Sequence, residues 1–175
     1  LKPFKIVTFH VHYLAQEFDN IKDFDKIMGA YVRQLNIKHV VIHADQYAKL
    51  RFKSKVPIAL ENSSVAHSPY KNLQELNEFN LPIIPDICHT EEHEKGRFDK
   101  QISKVTNRIA EIHFSVPKGI SHGRYPSHYL AHNSGFPIPK KIPKDALWII
   151  EARIPKNRID LLEKEVQFIK NYCAK

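Results

Sequence analysis

The chain has few of the residues that define disulfide-rich, fibrous or membrane-spanning proteins. Its two cysteines, Cys88 and Cys173, are too few for a disulfide framework and form no CxxC motif. Five glycines among 175 residues exclude a fibrous glycine repeat. No apolar run approaches the roughly 20 residues that a membrane-spanning helix needs, and the N-terminus shows no signal-peptide pattern. We therefore expect a cytoplasmic protein that does not bind membranes.

The chain does contain enough apolar sequence for a core and an excess of positive charge. With 42% hydrophobic residues, residues 1–175 are expected to form one domain. Lys and Arg outnumber Asp and Glu by 27 to 19, a formal charge of +8, which favours a polyanionic partner. The eleven histidines are the sharper signal, because histidine is the commonest metal ligand in proteins.

Short apolar runs and helical patterns alternate along the chain. The runs predict strands at residues 4–10, 39–43, 56–61, 82–86, 109–114 and 147–151. Helical spacing of apolar residues predicts helices at residues 21–35, 73–79, 99–107 and 159–172. This alternation indicates parallel strands, and the runs are too apolar for a sheet with one face in water. The sequence thus predicts an α/β fold, with a long loop at residues 115–143.

The predicted strands end on residues that can bind a divalent metal. The candidate ligands, histidines and carboxylates at or just after strand ends together with one loop histidine, are His10, His43, Glu61, Asp86, His89, His113, His128 and Glu151. Parallel strands would bring these ends together in an open doubly wound sheet or in a barrel. Six strands sharing one site favour the barrel, because strand neighbours are about 4.8 Å apart and the outer strands of an open sheet lie too far apart.

A mixed set of histidine and carboxylate ligands suits Zn, Mn or Fe without a thiolate. Eight candidates exceed the needs of one ion, so we expect two or three, with Glu61 or Asp86 able to bridge. Such ions can promote phosphoryl displacement or polarise a sugar during isomerisation. Taken singly, each carboxylate is more typical of a helix cap or ion pair, and each histidine of a hydrogen-bonded side chain. No chemistry is expected of His39, His67 or His93. For His12, His122 and His132, the sequence does not decide whether they bind metal.

Several motifs occur in an order that resembles a known family. They read FH at His10, VVIH at His43, IALEN at Glu61, IPDICH at Asp86, IHFS at His113, SHYL at His128 and IIEAR at Glu151. The order is similar to that of the xylose-isomerase-like TIM barrels, above all the UV damage endonucleases, with endonuclease IV as a relative. The resemblance implies a three-metal cluster, of Mn or Zn, that cleaves DNA. It selects His128 as the loop ligand, with His122 as the alternative.

The resemblance also implies roles for single residues. Glu61, Asp86 and Glu151 would be catalytic, with Glu61 and Asp86 bridging metals while a metal-activated hydroxide attacks phosphorus. The candidate DNA-binding residues are Tyr13, Lys118, Arg124 and Arg153, with Lys140 and Lys141 as further phosphate contacts.

The chain departs from the family pattern at three places. The family's HPGQY stretch is replaced by residues 10–14, which contain neither Gly nor Gln. The family's modifiable lysine is Glu111 here, and its last-strand lysine is Arg153, which keeps the charge but changes the geometry. The departures bear on the choice of DNA lesion rather than on the metal site.

A complete barrel of eight strand–helix units needs about 200 to 250 residues. Six predicted strands therefore indicate a TIM-type barrel whose first two units are missing or replaced. Its two exposed parallel edges could be covered in a dimer. The function expected is a metal-dependent endonuclease acting on damaged DNA. The alternatives are a sugar isomerase or epimerase, with Glu61 and Glu151 as acid and base, and a non-catalytic metal-binding remnant.

Overall fold

Strands and helices alternate in the computed structural model, which describes residues 8–11, 21–50, 54–65, 67–92, 96–117, 128–152, 154 and 157–174. The strands are β1 (Thr8–Val11), β2 (His39–His43), β3 (Ile58–Glu61), β4 (Ile83–Ile84), β5 (Glu111–Phe114), β6 (Val116–Pro117), β7 (His128–Tyr129) and β8 (Leu147–Ile150). The α-helices are α1 (Ile21–Leu35), α2 (Ala44–Leu50), α3 (Ile87–Glu91), α4 (Arg97–Gln101) and α5 (Ile159–Cys173). Short 3₁₀-helices cover Pro69–Lys71, Leu73–Phe79, Ile102–Lys104, Thr106–Arg108 and Ala131–Asn133.

The long strands are parallel, as the sequence predicts. Strands β1 to β4 form one sheet in the order β1-β2-β3-β4, and β5 pairs with β8. Two isolated parallel bridges, Ile83–Ile109 and Asp86–His113, connect the β4 segment to the β5 segment. The α/β class is thus confirmed. No strand pairing joins β1 to β8 among the described residues, so a closed barrel stays a prediction.

The segment predicted as one long loop contains a small antiparallel ladder. Val116 of β6 pairs with Tyr129 of β7, and Pro117 pairs with His128. Ser115 and Val116 are fully buried, so the chain continues beyond β5 inside the protein instead of leaving it. The prediction of one continuous loop is therefore wrong at this point, and the ladder carries His128 back toward the end of β5.

The two long helices agree closely with the sequence pattern. Helix α1 has the predicted bounds, and Asn36 ends it with a φ of 52°, a left-handed conformation that asparagine tolerates. Helix α5 extends one residue beyond its predicted end. Among the described residues, no helix is both long enough and apolar enough to cross a membrane.

The predicted helix at residues 73–79 is a 3₁₀-helix, and Asn72 does not cap it with its side chain. The reason is competition for hydrogen bonds. The Asn72 side-chain oxygen accepts from Arg97 and Gln101, while the Leu73 amide donates to Gln101 Oε1 at 2.6 Å. The predicted helix at residues 99–107 is likewise divided into α4 and two 3₁₀ turns.

Both faces of the parallel sheet are buried. One face packs against the helices, with Phe24 and Met28 of α1 in the same cluster as Ile42 and Leu60. The opposite face carries a small cluster formed by Val41, Ala59 and Ile84. Since side chains two residues apart share a face of a strand, this second face also carries His43, Glu61 and Asp86. These three candidate ligands therefore extend from the face of the sheet opposite the helices.

Candidate metal centre

Four of the predicted ligands form one compact group. His10, Glu61, His113 and Glu151 each offer a ligand atom, and these atoms all lie within 4.8 Å of one another. Glu61 Oε2 lies 3.1 Å from His10 Nε2 and 3.3 Å from His113 Nδ1. Glu151 Oε1 lies 3.1 Å from His113 Nδ1 and 3.5 Å from His10 Nδ1. Side chains from β1, β3, β5 and the end of β8 thus converge on one point.

Asp86, His89 and His128 form a second group with ligand atoms within 4.8 Å of one another. Glu61 connects the two groups, because its Oε1 lies 3.2 Å from His89 Nδ1 while its Oε2 faces the first group. His43 lies beside this connection, with its Nε2 3.6 Å from Glu61 Oε2. The structure therefore brings all eight predicted ligands into one cluster, whose metal-binding role stays a prediction.

The two oxygens of Asp86 have different surroundings. Oδ1 accepts a hydrogen bond from the His89 amide at 2.7 Å and so caps α3. Oδ2 is buried and has no hydrogen-bond partner in the described part of the chain. The side chain is therefore a helix cap through one oxygen and remains available as a metal ligand through the other.

The donor atoms of the cluster fit a divalent metal. Within the described residues, both oxygens of Glu61 and Nδ1 of His113 are buried without a hydrogen bond of acceptable geometry. Buried polar atoms without partners are costly, and several of them facing one point are what a cation would satisfy. A mixed set of nitrogen and carboxylate oxygen suits Zn or Mn. Burial raises the pKa of the Cys88 thiol, and Cys88 belongs to neither ligand group.

Three of the histidines have a second polar partner on the ring. His113 Nε2 lies 3.0 Å from Glu111 Oε1. His89 Nδ1, the atom that also faces Glu61 Oε1, lies 3.1 Å from the Asn62 carbonyl oxygen, which leaves Nε2 of this ring for an ion. His128 Nδ1 lies 2.7 Å from the Ser115 hydroxyl. Such partners orient ligand histidines in metal sites and select the nitrogen that binds the ion.

Without a metal, protons balance the charge of the cluster. Burial opposes the charged form of His89, but Asp86 and Glu61 raise the pKa of its ring to about 10. Burial likewise opposes the charged form of His113, and the charge of Glu61 raises its pKa well above the usual value. A metal ion would displace these protons.

The cluster carboxylates shift in opposite directions. Burial alone would raise the pKa of Glu61, yet the charges of His113 and His43 lower it well below its usual range. Burial raises the pKa of Asp86 to about 7, with His89 opposing this shift. Glu61 is therefore the permanent negative charge at the centre of the cluster.

The sequence patterns do not single out the buried pair formed by His39 and Glu111. His39 Nε2 lies 3.1 Å from Glu111 Oε2, although His39 is expected from the sequence to carry no chemistry. The strand periodicity could have identified both, because residues 39 and 43 share one face of β2 and residues 111 and 113 share one face of β5. His67, by contrast, is exposed in a turn, and its expected lack of chemistry stays a prediction.

Several residues for which the sequence predicts a role, or leaves one open or excludes it, lie outside the described residues, so these expectations stay predictions. They are Tyr13, Lys118, Arg124 and Arg153, together with His12, His93 and His122. The choice between His128 and His122 as loop ligand therefore rests on the place of His128 in the second group. Lys140 and Lys141 are exposed, and their amides donate to the Asp99 carboxylate at 3.0 and 2.7 Å.

Comparison with known proteins identifies no family for the chain. No family model, no curated protein and no solved structure matches the chain. The motif resemblance therefore stays an expectation, and the chemistry of the site is to be inferred from its own geometry.

Replacing Asn62 with alanine is expected to lower the free energy of unfolding by about 2 kcal/mol. The fully buried Asn62 side chain accepts from the Asp86 amide at 2.7 Å and donates to the Thr90 hydroxyl at 3.2 Å, so its loss leaves buried groups without partners. Urea unfolding of the metal-free protein measures the effect. Asn77→Ala is the matched control, because Asn77 is exposed and contacts Arg108 at the surface. Equal stability of the two variants would contradict the prediction.

Proposed function

We propose that the chain is a metal-dependent phosphodiesterase that nicks damaged DNA, with two or three divalent ions, Mn or Zn, in the cluster. The observation that carries this proposal is the pair of adjacent ligand groups connected through Glu61. Two neighbouring ions are suited to the displacement of one phosphate oxygen by another. The excess of 27 Lys and Arg over 19 Asp and Glu favours a polyanionic substrate.

The proposal assigns the residues as follows. His10, Glu61, His113 and Glu151 would hold one ion, and Asp86, His89 and His128 a second, with His43 beside Glu61 as a ligand for a further ion. When bound, the ions would supply an activated water and neutralise charge on the phosphoryl group. The three-donor group leaves a coordination position for a water or a substrate oxygen. Glu61, Asp86 and Glu151 would be the catalytic carboxylates, because they would contact the ions directly.

A TIM-type curvature of the sheet is part of the same proposal. In a flat sheet, the first and sixth parallel strands would lie about 24 Å apart. Instead, His10 at β1 and Glu151 after β8 approach to 3.5 Å, and His39 of β2 reaches Glu111 of β5 at 3.1 Å. Both contacts cross the interior and support a sheet that curves toward closure.

The same distances weigh against the sugar isomerase alternative. That reaction would use Glu61 and Glu151 as acid and base on two sides of a substrate. In the structure, however, both carboxylates approach the same atom, His113 Nδ1, at 3.3 and 3.1 Å. Two carboxylates directed at one ring nitrogen fit a shared ion better than two sides of a sugar.

Elemental analysis of the purified protein tests the proposal, and we expect two or three Mn or Zn per chain. Asp86→Asn is the informative variant, because the amide oxygen keeps the cap of α3 while the anionic ligand is lost. It should lose metal and nicking activity. Asp160→Asn, which changes an exposed partner of Arg158, is the matched control and should lose neither.

Nicking of abasic or UV-irradiated DNA, compared with undamaged DNA and with a panel of sugars, identifies the reaction. Lesion-dependent nicking and a DNA affinity that falls steeply with salt would support the proposal. Sugar isomerisation without nicking would favour the alternative. A protein that binds no metal and is stabilised by none would contradict both.

A further inference from the structure

Three buried side chains, His113, Glu111 and His39, contact one another in a row that begins at the first ligand group. Glu111 is fully buried, His113 is 2% exposed and His39 is 8% exposed. Glu111 Oε1 lies 3.0 Å from His113 Nε2, and Glu111 Oε2 lies 3.1 Å from His39 Nε2. Each carboxylate oxygen therefore faces one histidine, and only His113 reaches the ligand group.

The Glu111 contact determines which nitrogen of His113 faces the cluster. A carboxylate only accepts hydrogen bonds, so His113 must carry a proton on Nε2 when it bonds to Glu111. In the neutral ring this leaves the lone pair on Nδ1. That atom lies 3.3 Å from Glu61 Oε2 and 3.1 Å from Glu151 Oε1, at the centre of the first ligand group.

We propose that Glu111, held in place by His39, is a positioning residue that presents Nδ1 of His113 to a divalent metal. The inference rests on the proposed function, because it needs the metal at the first ligand group. A carboxylate behind a ligand histidine fixes the orientation of the ring and makes the ring a better donor to the ion.

His39 contributes through the proximity of its ring to the second oxygen of Glu111. The two buried atoms lie 3.1 Å apart without the geometry of a hydrogen bond, so a protonated His39 would hold this oxygen through charge. Without it, a fully buried carboxylate would keep one oxygen with no neighbouring donor among the described residues, and could turn away from His113. Because His39 acts on the metal only through Glu111, its loss should have no further effect once Glu111 has been replaced.

The Zn²⁺ affinity of the full chain, measured by competition with a chromophoric chelator, tests this role. Glu111→Gln should bind Zn²⁺ about 10- to 100-fold more weakly than the parent chain. His39→Gln should show a smaller loss, and the double variant should bind about as weakly as Glu111→Gln alone. An additive loss in the double variant would overturn the role of His39 as a residue that acts through Glu111.

Two controls distinguish positioning from a general loss of buried charge. Glu91→Gln replaces another buried glutamate, which accepts from the Phe98 amide, and His132→Gln replaces another histidine paired with a buried glutamate, Glu165. Both controls should keep the parent Zn²⁺ affinity. Thermal melting of the metal-free proteins, compared with the affinities, separates weaker metal binding from weaker folding.

Histidine ring ¹⁵N spectra of the Zn²⁺ protein give a readout that a purely structural role would not change. His113 should be protonated on Nε2 in the parent chain, and this preference should be lost or reduced in Glu111→Gln. Unchanged Zn²⁺ affinity in Glu111→Gln would overturn the inference while leaving the proposed function intact. If Glu111→Gln does not fold, unchanged affinity in His39→Gln would overturn it. A parent chain that binds no Zn²⁺ would overturn both.

Discussion

Replacing Glu61 with glutamine is expected to lower kcat/KM for nicking of damaged DNA by about 10³-fold or more. Glu61 is fully buried and lies at the centre of the cluster. Its two oxygens lie within 3.6 Å of ring nitrogens of His10, His43, His89 and His113. No other described carboxylate contacts both ligand groups in this way, so its loss should affect every proposed ion.

Glutamine is the suitable replacement because it keeps the size of the side chain and removes the negative charge. Its amide nitrogen would also place two N–H bonds where a ligand must offer a lone pair to the ion. Metal content should therefore fall together with activity. Elemental analysis and a nicking assay on the same preparation measure both. Glu91→Gln should stay within about twofold of the parent chain, because Glu91 accepts from the amides of Gly96 and Phe98 outside the cluster. Full metal content in Glu61→Gln would contradict the assignment of Glu61 as the shared ligand.

The stability of the protein is expected to depend on pH in opposite directions with and without metal. In the metal-free protein, the pKa of His89 is raised to about 10. Its contribution to the free energy of unfolding is therefore fully present below about pH 6.5 and is lost as the pH rises toward 10. The pKa of Asp86 is raised to about 7, so the protein also loses stability as the pH rises from about 4 to 7. Glu61 and Glu151 have lowered pKa values, and their contribution is lost in acid. The metal-free protein should therefore be most stable at mildly acidic pH.

Metal reverses this trend because protons compete with the ion for the same nitrogens. Zn²⁺ binds neutral imidazole and ionised carboxylate, so its stabilising effect should grow as the pH rises from about 6 to 9. Over this range we expect the metal-free protein to lose about 2 kcal/mol or more, a fall in Tm of roughly 4 to 8 °C, while the Zn²⁺-loaded protein does not.

Thermal melting at a series of pH values, with Zn²⁺ or with a chelator, measures the two profiles. His89→Gln removes a group that titrates in this range and should flatten the metal-free profile. His132→Gln, which changes a histidine paired with Glu165 outside the cluster, should leave it unchanged. Identical profiles with and without Zn²⁺ would show that the cluster is a network of buried ion pairs without a metal.

The agreement between sequence and structure is best where the relevant physics is local. Helix α1 follows from the helical spacing of Phe24, Ile27, Met28 and Tyr31, and Asn36 ends it. The segment after Asn72 could not be predicted as a 3₁₀-helix, because Asn72 is engaged by side chains of α4 that are distant in sequence. The ladder of β6 and β7 also depends on a partner across the intervening residues.

The site shows the same division. The sequence alone determined that His43, Glu61 and Asp86 stand at the ends of apolar strands, because the period of two along a strand is a local property. The alternation of strands and helices then predicted parallel pairing, which places such strand ends along one edge. Only the tertiary structure decided that His10 reaches Glu151 across the first and last strands, and that Glu111 lies between His39 and His113. The reason is that contacts between distant strands arise from the packing of all strands and helices together, and no short stretch of sequence encodes them.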